Sequence, residues 1–360
     1  MKKKNESFDP AYLRIYRNLR EAIVGGAYAL GEKLPSKRTL AEKTGCSTVT
    51  VAHAYGLLCD EGYIEARERS GYFVIFRKSD GFALSPTAKK AQAAPKAAQG
   101  YPGFPFSVLA KTMRSVLSLY GESILESAPS EGAQELREAL ARYLARNRGI
   151  RVSAEQIVIG SGAEYIYGLI IGLLGHDRKY GIEAPSYEKI ECVYRAEEVC
   201  YLPLPLSHDG IESEALLKTE ADVLHTTPYR SFPSGVTASA TKRYEYIRWS
   251  SEGDRYIIED DFESEFSVST KSEDTLFSLS NLDNVIYLNT FSKTISPSLR
   301  IGYMVLPLHL ARAFKEKLGF YSCTVPTFEQ LVIAALIENG DFERHINRVR
   351  RSKRKNLEKS

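Results

Sequence analysis

Val285-Ile286-Tyr287-Leu288-Asn289-Thr290-Phe291-Ser292-Lys293-Thr294 decides how the longer part of this chain is read. An apolar run of β-branched and aromatic residues predicts a buried strand. It breaks into hydroxyl residues and a lysine, and Arg300 follows seven positions later in Pro297-Ser298-Leu299-Arg300-Ile301-Gly302-Tyr303. A lysine on the turn after a buried strand can form a Schiff base with an aldehyde. An arginine with small hydroxyls beside it can hold a phosphate.

Four further features converge on that lysine. Gly160-Ser161-Gly162 ends the apolar segment Ile157-Val158-Ile159 and precedes a helical stretch, so its amides can face an anion. Ala184-Pro185-Ser186-Tyr187 offers an aromatic ring that could stack on a flat ligand. Tyr256-Ile257-Ile258 runs into Glu259-Asp260-Asp261, where one carboxylate can pair with a protonated ring nitrogen. Thr290 and Ser292 add hydroxyl donors. Aldehyde, phosphate and ring nitrogen together describe pyridoxal 5'-phosphate (PLP). Short strands at 157–159, 223–224, 256–258, 285–288 and 302–305 alternate with helical stretches, among them an amphipathic helix over 134–147. That alternation predicts an α/β fold with a mainly parallel sheet and ligands at its carboxyl edge.

The N-terminal part reads differently. Asp9-Pro10 predicts a helix start with Pro at the first helical position, and Tyr12, Tyr16, Leu19 and Ile23 recur at helical spacing up to Gly25-Gly26. A short helix over 40–44 ends at Gly45, Ser47 caps a third helix running to about Glu61, and two strands (63–65 and 71–76) flank Arg67-Glu68-Arg69-Ser70. This is the element order of a winged helix-turn-helix. Between the two parts, residues 81–103 are rich in Ala, Lys and Pro and nearly free of large apolar groups, the composition of a linker. The expected organisation is therefore 1–80, a linker over 81–103, and 104–360.

Composition bounds the rest. The 360 residues are 43% hydrophobic and 26% charged, as in a globular protein, and the net charge of +3 does not by itself imply a nucleic-acid partner. Residues 1–80 hold fourteen Lys/Arg against ten Asp/Glu, a modest basic footprint. Five cysteines without a CxxC pattern are expected as buried thiols of a reducing, cytoplasmic location, and six scattered histidines form no zinc pattern. No signal segment and no apolar run of membrane-spanning length is visible, so no membrane partner is expected.

On these motifs the chain resembles two known families. Gly31-Glu32-Lys33-Leu34-Pro35-Ser36-Lys37-Arg38-Thr39-Leu40-Ala41, Cys46-Ser47-Thr48-Val49-Thr50-Val51 and Asp60-Glu61-Gly62-Tyr63-Ile64 resemble the DNA-binding domain of GntR-family regulators. By that resemblance Ser36, Arg38, Ser47, Thr48 and Thr50 meet double-stranded operator DNA, with Arg69 and Gly71 at the wing. Glu131-Gly132-Ala133-Gln134-Glu135-Leu136-Arg137, Thr227-Pro228, Phe232-Pro233-Ser234-Gly235, Glu259 to Phe266 and Thr290 to Thr294 resemble fold-type I aminotransferases. The two halves together look like the MocR subfamily. The resemblance implies that Lys293 forms the Schiff base with PLP and that Asp260 pairs with the ring nitrogen. It also implies that Tyr187 stacks on the ring, while Arg300, Ser161, Gly162, Thr290 and Ser292 hold the phosphate. It further implies a homodimer and a small amine, amino acid or vitamin B6 effector.

The chain departs from the family pattern at several places. Thr48 stands where arginine is common, Phe262 where a tyrosine donates to the cofactor's ring oxygen, and Tyr229-Arg230 where Ser with His or Asn is usual. Ala163 lacks the usual hydroxyl, and Lys189 lies where some members carry an arginine for a substrate carboxylate. The basic tail Arg350 to Ser360 reads as a solvated helix, where family members continue into a small subdomain that clamps the substrate carboxylate. The expectation is therefore a regulator with negligible transaminase turnover. The rival readings are a working aminotransferase with a DNA-binding appendage and a DNA-binding remnant that no longer takes PLP.

Overall fold

A computed structural model describes residues 10–67, 70–76, 103–267 and 274–357. Arg69 and residues 81–102 of the expected linker lie outside the described residues. The chain divides into two compact units near residue 98, each described by itself below.

The N-terminal unit holds α1 (Ala11–Val24), α2 (Lys37–Thr44), α3 (Thr48–Asp60), β1 (Ile64–Arg67) and β2 (Gly71–Val74). Its boundaries follow local chemistry. Ser36 Oγ accepts the Thr39 amide at 3.1 Å and Ser47 Oγ accepts the Thr50 amide at 3.1 Å, so each serine caps the helix that follows it. The cap at Ser36 starts α2 three residues earlier than the expected Leu40. Gly45 closes it with φ +65°, a left-handed turn that glycine adopts without strain. Pro10 is the N-cap of α1 rather than its first helical residue, because its ψ of 141° is extended. Val51, Ala54, Tyr55 and Leu58 of α3 are wholly buried, and Tyr55 donates its hydroxyl to the Pro35 carbonyl at 2.7 Å. Each large apolar side chain buried this way contributes roughly 1.5–3 kcal/mol before entropy is counted. β1 and β2 pair antiparallel from Ile64↔Val74 to Arg67↔Gly71, forming the wing.

The C-terminal unit runs α4 (Phe106–Tyr120), α5 (Gln134–Asn147), β3 (Ile157–Gly160), α6 (Ala163–Leu174), β4 (Tyr180–Ala184), α7 (Glu188–Ala196), β5 (Tyr201–Ser207) and β6 (Gly210–Ile211). It continues through α8 (Ser213–Lys218), β7 (Val223–Thr226), α9 (Ala240–Ser250), β8 (Tyr256–Asp260), α10 (Leu276–Leu279), β9 (Val285–Thr290) and β10 (Gly302–Val305). Three helices follow: α11 (Leu308–Leu318), α12 (Thr327–Glu338) and α13 (Asp341–Leu357). The strand order is β3-β10-β9-β8-β7-β4-β5-β6, with β5·β4·β7·β8·β9 parallel and β10 antiparallel to both β9 and β3.

Both faces of the sheet are covered. Ile157, Ile159, Tyr287, Tyr303 and Val305 face one apolar cluster, whereas Val158, Ile258, Ile286, Leu288 and Met304 face the other. A two-sided core explains why these strands read as continuous apolar runs. β4, β5 and β6 escaped the sequence reading: Gly181 interrupts the first, and Pro203 and Pro205 interrupt the second. Among the described residues no helix is long and apolar enough to cross a membrane. The expectation of buried thiols fails. Cys192 and Cys200 are exposed, because one lies on the outer face of α7 and the other in the turn before β5; Cys46, Cys59 and Cys323 are half-buried.

Candidate functional sites

At the carboxyl edge of the sheet, the ends of β8 and β9 and the start of α6 border a cavity of about 390 Å³. Its wall carries six of the residues that the sequence singled out: Lys293, Asp260, Tyr187, Arg300, Thr290 and Ser292. Ser161 and Gly162 are not on that wall. Gly162 lies next to Arg300: a Cβ on it would come within 3.3 Å of Arg300 Nη2, and its φ of +95° suits glycine. Phe262, Lys189 and Ala163, three of the departures from the family pattern, also line the cavity.

Lys293 sits on the turn after β9 and is partly exposed. Its Nζ donates to Glu263 Oε1 at 2.8 Å and lies 4.1 Å from the centre of the Phe262 ring. Glu263 also faces Arg230 Nη1 at 3.7 Å. Arg300 adopts φ +42°, a left-handed conformation that costs a non-glycine residue on the order of 1 kcal/mol. Its Nη2 donates to Glu164 Oε2 at 3.0 Å, while Lys189 Nζ donates to Glu164 Oε1 at 2.6 Å. Burial raises the Glu164 pKa, but the hydrogen bond from Lys189 and the nearby positive charges outweigh it and hold the carboxyl below its usual range. Ser292 N donates to Thr290 Oγ1 at 3.2 Å, and the two hydroxyls lie 3.0 Å apart.

Asp260 is 1% exposed at the end of β8. Tyr167 donates its hydroxyl to Asp260 Oδ2, and His225 Nε2 stands 3.7 Å from the same oxygen, too far for a hydrogen bond. Tyr194 and His225 Nδ1 share a hydrogen bond of 2.8 Å. Asp260 Oδ1 has no hydrogen-bond partner among the described residues. A buried carboxylate oxygen without a donor, on a residue that lines a cavity, is an acceptor that a ligand N–H can satisfy. With a lysine amine, hydroxyl donors, an arginine and an aromatic ring on the same wall, the residues present fit PLP.

Sequence reasoning missed Tyr167, His225, Glu263 and Glu164. Tyr167 occupies an inward position of α6 beside Ile166 and Ile170, where an aromatic reads as core. His225 carried a usable signal, since it is a polar residue inside the buried strand Val223–Thr226.

In the N-terminal unit, Ser36 and Ser47 are engaged as helix caps, and Thr50 Oγ1 lies 2.8 Å from Ser47 Oγ. Arg38 is exposed and pairs with Glu42 at 3.4 Å. Thr48 opens α3 and is exposed. Gly71 begins β2 at φ +117°, where a Cβ would lie 2.9 Å from Lys33 Cε. His53 is exposed and stacks on Tyr12 at 4.2 Å between ring centres.

Comparison with known proteins defines the class. Residues 11–74 match the family described as bacterial regulatory proteins, gntR family, and residues 97–359 match aminotransferase class I and II. The chain is 33% identical to the HTH-type transcriptional regulator YdeL of Bacillus subtilis, over 98% of this chain and 78% of YdeL. It is 27% identical to the probable rhizopine catabolism regulatory protein MocR of Rhizobium meliloti, over 95% of this chain and 74% of that protein. Among solved structures, it resembles the Pyrococcus horikoshii kynurenine aminotransferase in complex with PMP, with a TM-score of 0.64 and 29% identity. That match covers 71% of this chain and 66% of the enzyme, so the chain spans about two thirds of its length. The chain belongs to the GntR-type transcription regulators of the MocR kind, in which a helix-turn-helix head is joined to an aminotransferase-like domain. DNA binding is the implied property of the head, and PLP binding is a trait of the fold.

Proposed function

We propose that this regulator holds PLP in the cavity at the carboxyl edge of its sheet and uses the loaded domain as a sensor for a small amine or amino acid. The observation that carries the reading is the meeting of Lys293, Arg300, Tyr187 and Asp260, whose Oδ1 has no partner among the described residues, on one cavity wall. PLP supplies an electrophilic aldehyde and an electron-withdrawing ring when bound. In this reading Lys293 Nζ is the point of covalent attachment, and Asp260 Oδ1 accepts from the ring nitrogen. Tyr187 covers one face of the ring. Arg300, Thr290 and Ser292 hold the phosphate, together with Ser161 and Gly162. The proposed functional unit is a cytoplasmic homodimer. Ser36, Arg38, Ser47, Thr48, Thr50, Arg69 and Gly71 form its operator-facing surface, and the effector acts by shifting the balance between two head arrangements.

The test is chemical. The full chain is incubated with PLP, reduced with borohydride and mapped by proteolysis and mass spectrometry. The adduct is expected on the peptide containing Lys293 and absent from Lys293→Ala. A wild-type chain that gains no absorbance and no adduct with excess PLP returns the domain to the status of a remnant.

A further inference from the structure

Asp260 is held by a side chain on α6. Tyr167 is 2% exposed, lines the same cavity and donates its hydroxyl to Asp260 Oδ2. Its ring also meets the His225 ring edge-on, 5.0 Å between centres, so ring and hydroxyl are both fixed. His225 is in turn held through Nδ1 by the Tyr194 hydroxyl at 2.8 Å. Oδ2 is therefore engaged by Tyr167, while Oδ1 is buried and without a hydrogen-bond partner among the described residues. Burial, then the Asp260 charge, push the Tyr167 hydroxyl well above its usual range, so it remains a donor.

We propose that Tyr167 is a positioning residue that fixes Asp260 with Oδ1 toward the cavity and so makes the site selective for a flat heteroaromatic ligand bearing a ring N–H. This rests on the PLP reading above and deepens it. The mechanism is one of acceptor supply. A carboxylate whose second oxygen already receives a hydrogen bond is held in one orientation, and it can meet a ring N–H donor without rearrangement. Without the Tyr167 donor, Oδ2 is left short of a partner, and Asp260 can rotate instead of accepting from the ring.

The experiment compares two ligands on each preparation of the full chain: PLP, and its 1-deaza analogue, in which C–H replaces the ring nitrogen. Dissociation constants are read by fluorescence quenching for wild type, Tyr167→Phe and Tyr167→Met. Wild type is expected to favour PLP by about tenfold or more, the order of one hydrogen bond to a charged group. Both variants are expected to lose most of that preference through weaker PLP binding, with the analogue unchanged within about twofold. The ratio on one preparation is insensitive to the fraction of folded chain. If the variants weaken both ligands equally, Tyr167 only packs and the proposal fails. If wild type binds both ligands equally, Asp260 does not meet the ring nitrogen; the proposal fails while the cofactor reading stands. If wild type binds neither, the cofactor reading itself falls and takes the proposal with it.

Discussion

Lys293 Nζ lies between Glu263 Oε1, at 2.8 Å, and the centre of the Phe262 ring, at 4.1 Å. The second neighbour is informative, because a ring offers the lysine a π-face where a tyrosine would also offer a hydroxyl. A hydroxyl in that position would stabilise an ionised oxygen on a bound ring, and hydrogen bonds to charged groups contribute roughly 1.5–3 kcal/mol. Phe262→Tyr is expected to shift the absorbance titration of the PLP-loaded chain to lower pH by about one to two units. The sign follows from the donor favouring the deprotonated oxygen. Coincident titrations of wild type and variant would mean that position 262 does not face the ring oxygen.

Ser47 and Thr48 are neighbours with different work. Ser47 Oγ accepts the Thr50 amide and caps α3, whereas Thr48 is the exposed first residue of that helix. Ser47→Ala is expected to lower the stability of the head by about 1 kcal/mol through loss of the cap. Thr48→Ala leaves stability nearly unchanged and weakens operator binding. Thermal unfolding and DNA-binding titrations on the same two variants separate the roles; a Thr48→Ala chain with wild-type DNA affinity removes Thr48 from the interface.

Much of this was legible in the sequence because the informative residues sit at element ends. Lys293 and Arg300 flank a turn between two buried strands, Asp260 ends an apolar run, and Ser47 precedes a helix with a capping signal. Tyr167 was not legible. Its partner Asp260 is ninety-three residues away, and only the folding of α6 onto the sheet brings this core-like aromatic to Asp260 of β8 and His225 of β7. Glu164 and Glu263 escaped for a similar reason, since carboxylates on a turn or in a first helical turn read as solvated or dipole-favoured groups. Only the fold brings them to Arg300 and Lys293. β4 and β5 stayed hidden because glycine and proline break the apolar runs on which strand reading depends.

Glu259, beside Asp260, gives the C-terminal unit a pH dependence. It is fully buried and accepts the amides of Leu276 and Phe277 at 2.8 and 2.9 Å. Burial, then the neighbouring Asp261 charge, raise its carboxyl from 4.5 to about 7. A raised acid binds its proton more tightly folded than unfolded. Its contribution is therefore fully present below about pH 4.5 and is lost as pH rises through about 7. Between pH 5 and 8 the unfolding free energy of the unit is expected to fall by on the order of 2–3 kcal/mol more in wild type than in Glu259→Gln. The variant keeps the shape of the protonated side chain but cannot ionise. Denaturant titrations at the two pH values measure the difference, and parallel pH dependences would show that Glu259 does not titrate in this range.

The helix from Thr48 to Asp60 carries one formally charged side chain, Asp60 at its far end, and its most exposed large apolar residue is Val49, 76% exposed. His53, one turn on, is stacked against Tyr12. A helix without arginine near its N-terminus cannot make the bidentate guanine contact, and an apolar side chain in the major groove matches the thymine methyl group. Phosphate contacts from exposed cations such as Arg38 then supply the salt-dependent part of affinity. Operators selected from random duplex by the full chain are expected to contain at least one thymine whose replacement by deoxyuridine weakens wild-type binding by roughly 1 kcal/mol. Val49→Ala is expected to be indifferent to the same replacement. Arg38→Ala is expected to weaken all operators alike and to reduce the salt slope by about one. A uracil-insensitive wild type with a well-defined selected motif would assign base reading to Thr48 or the wing instead of Val49.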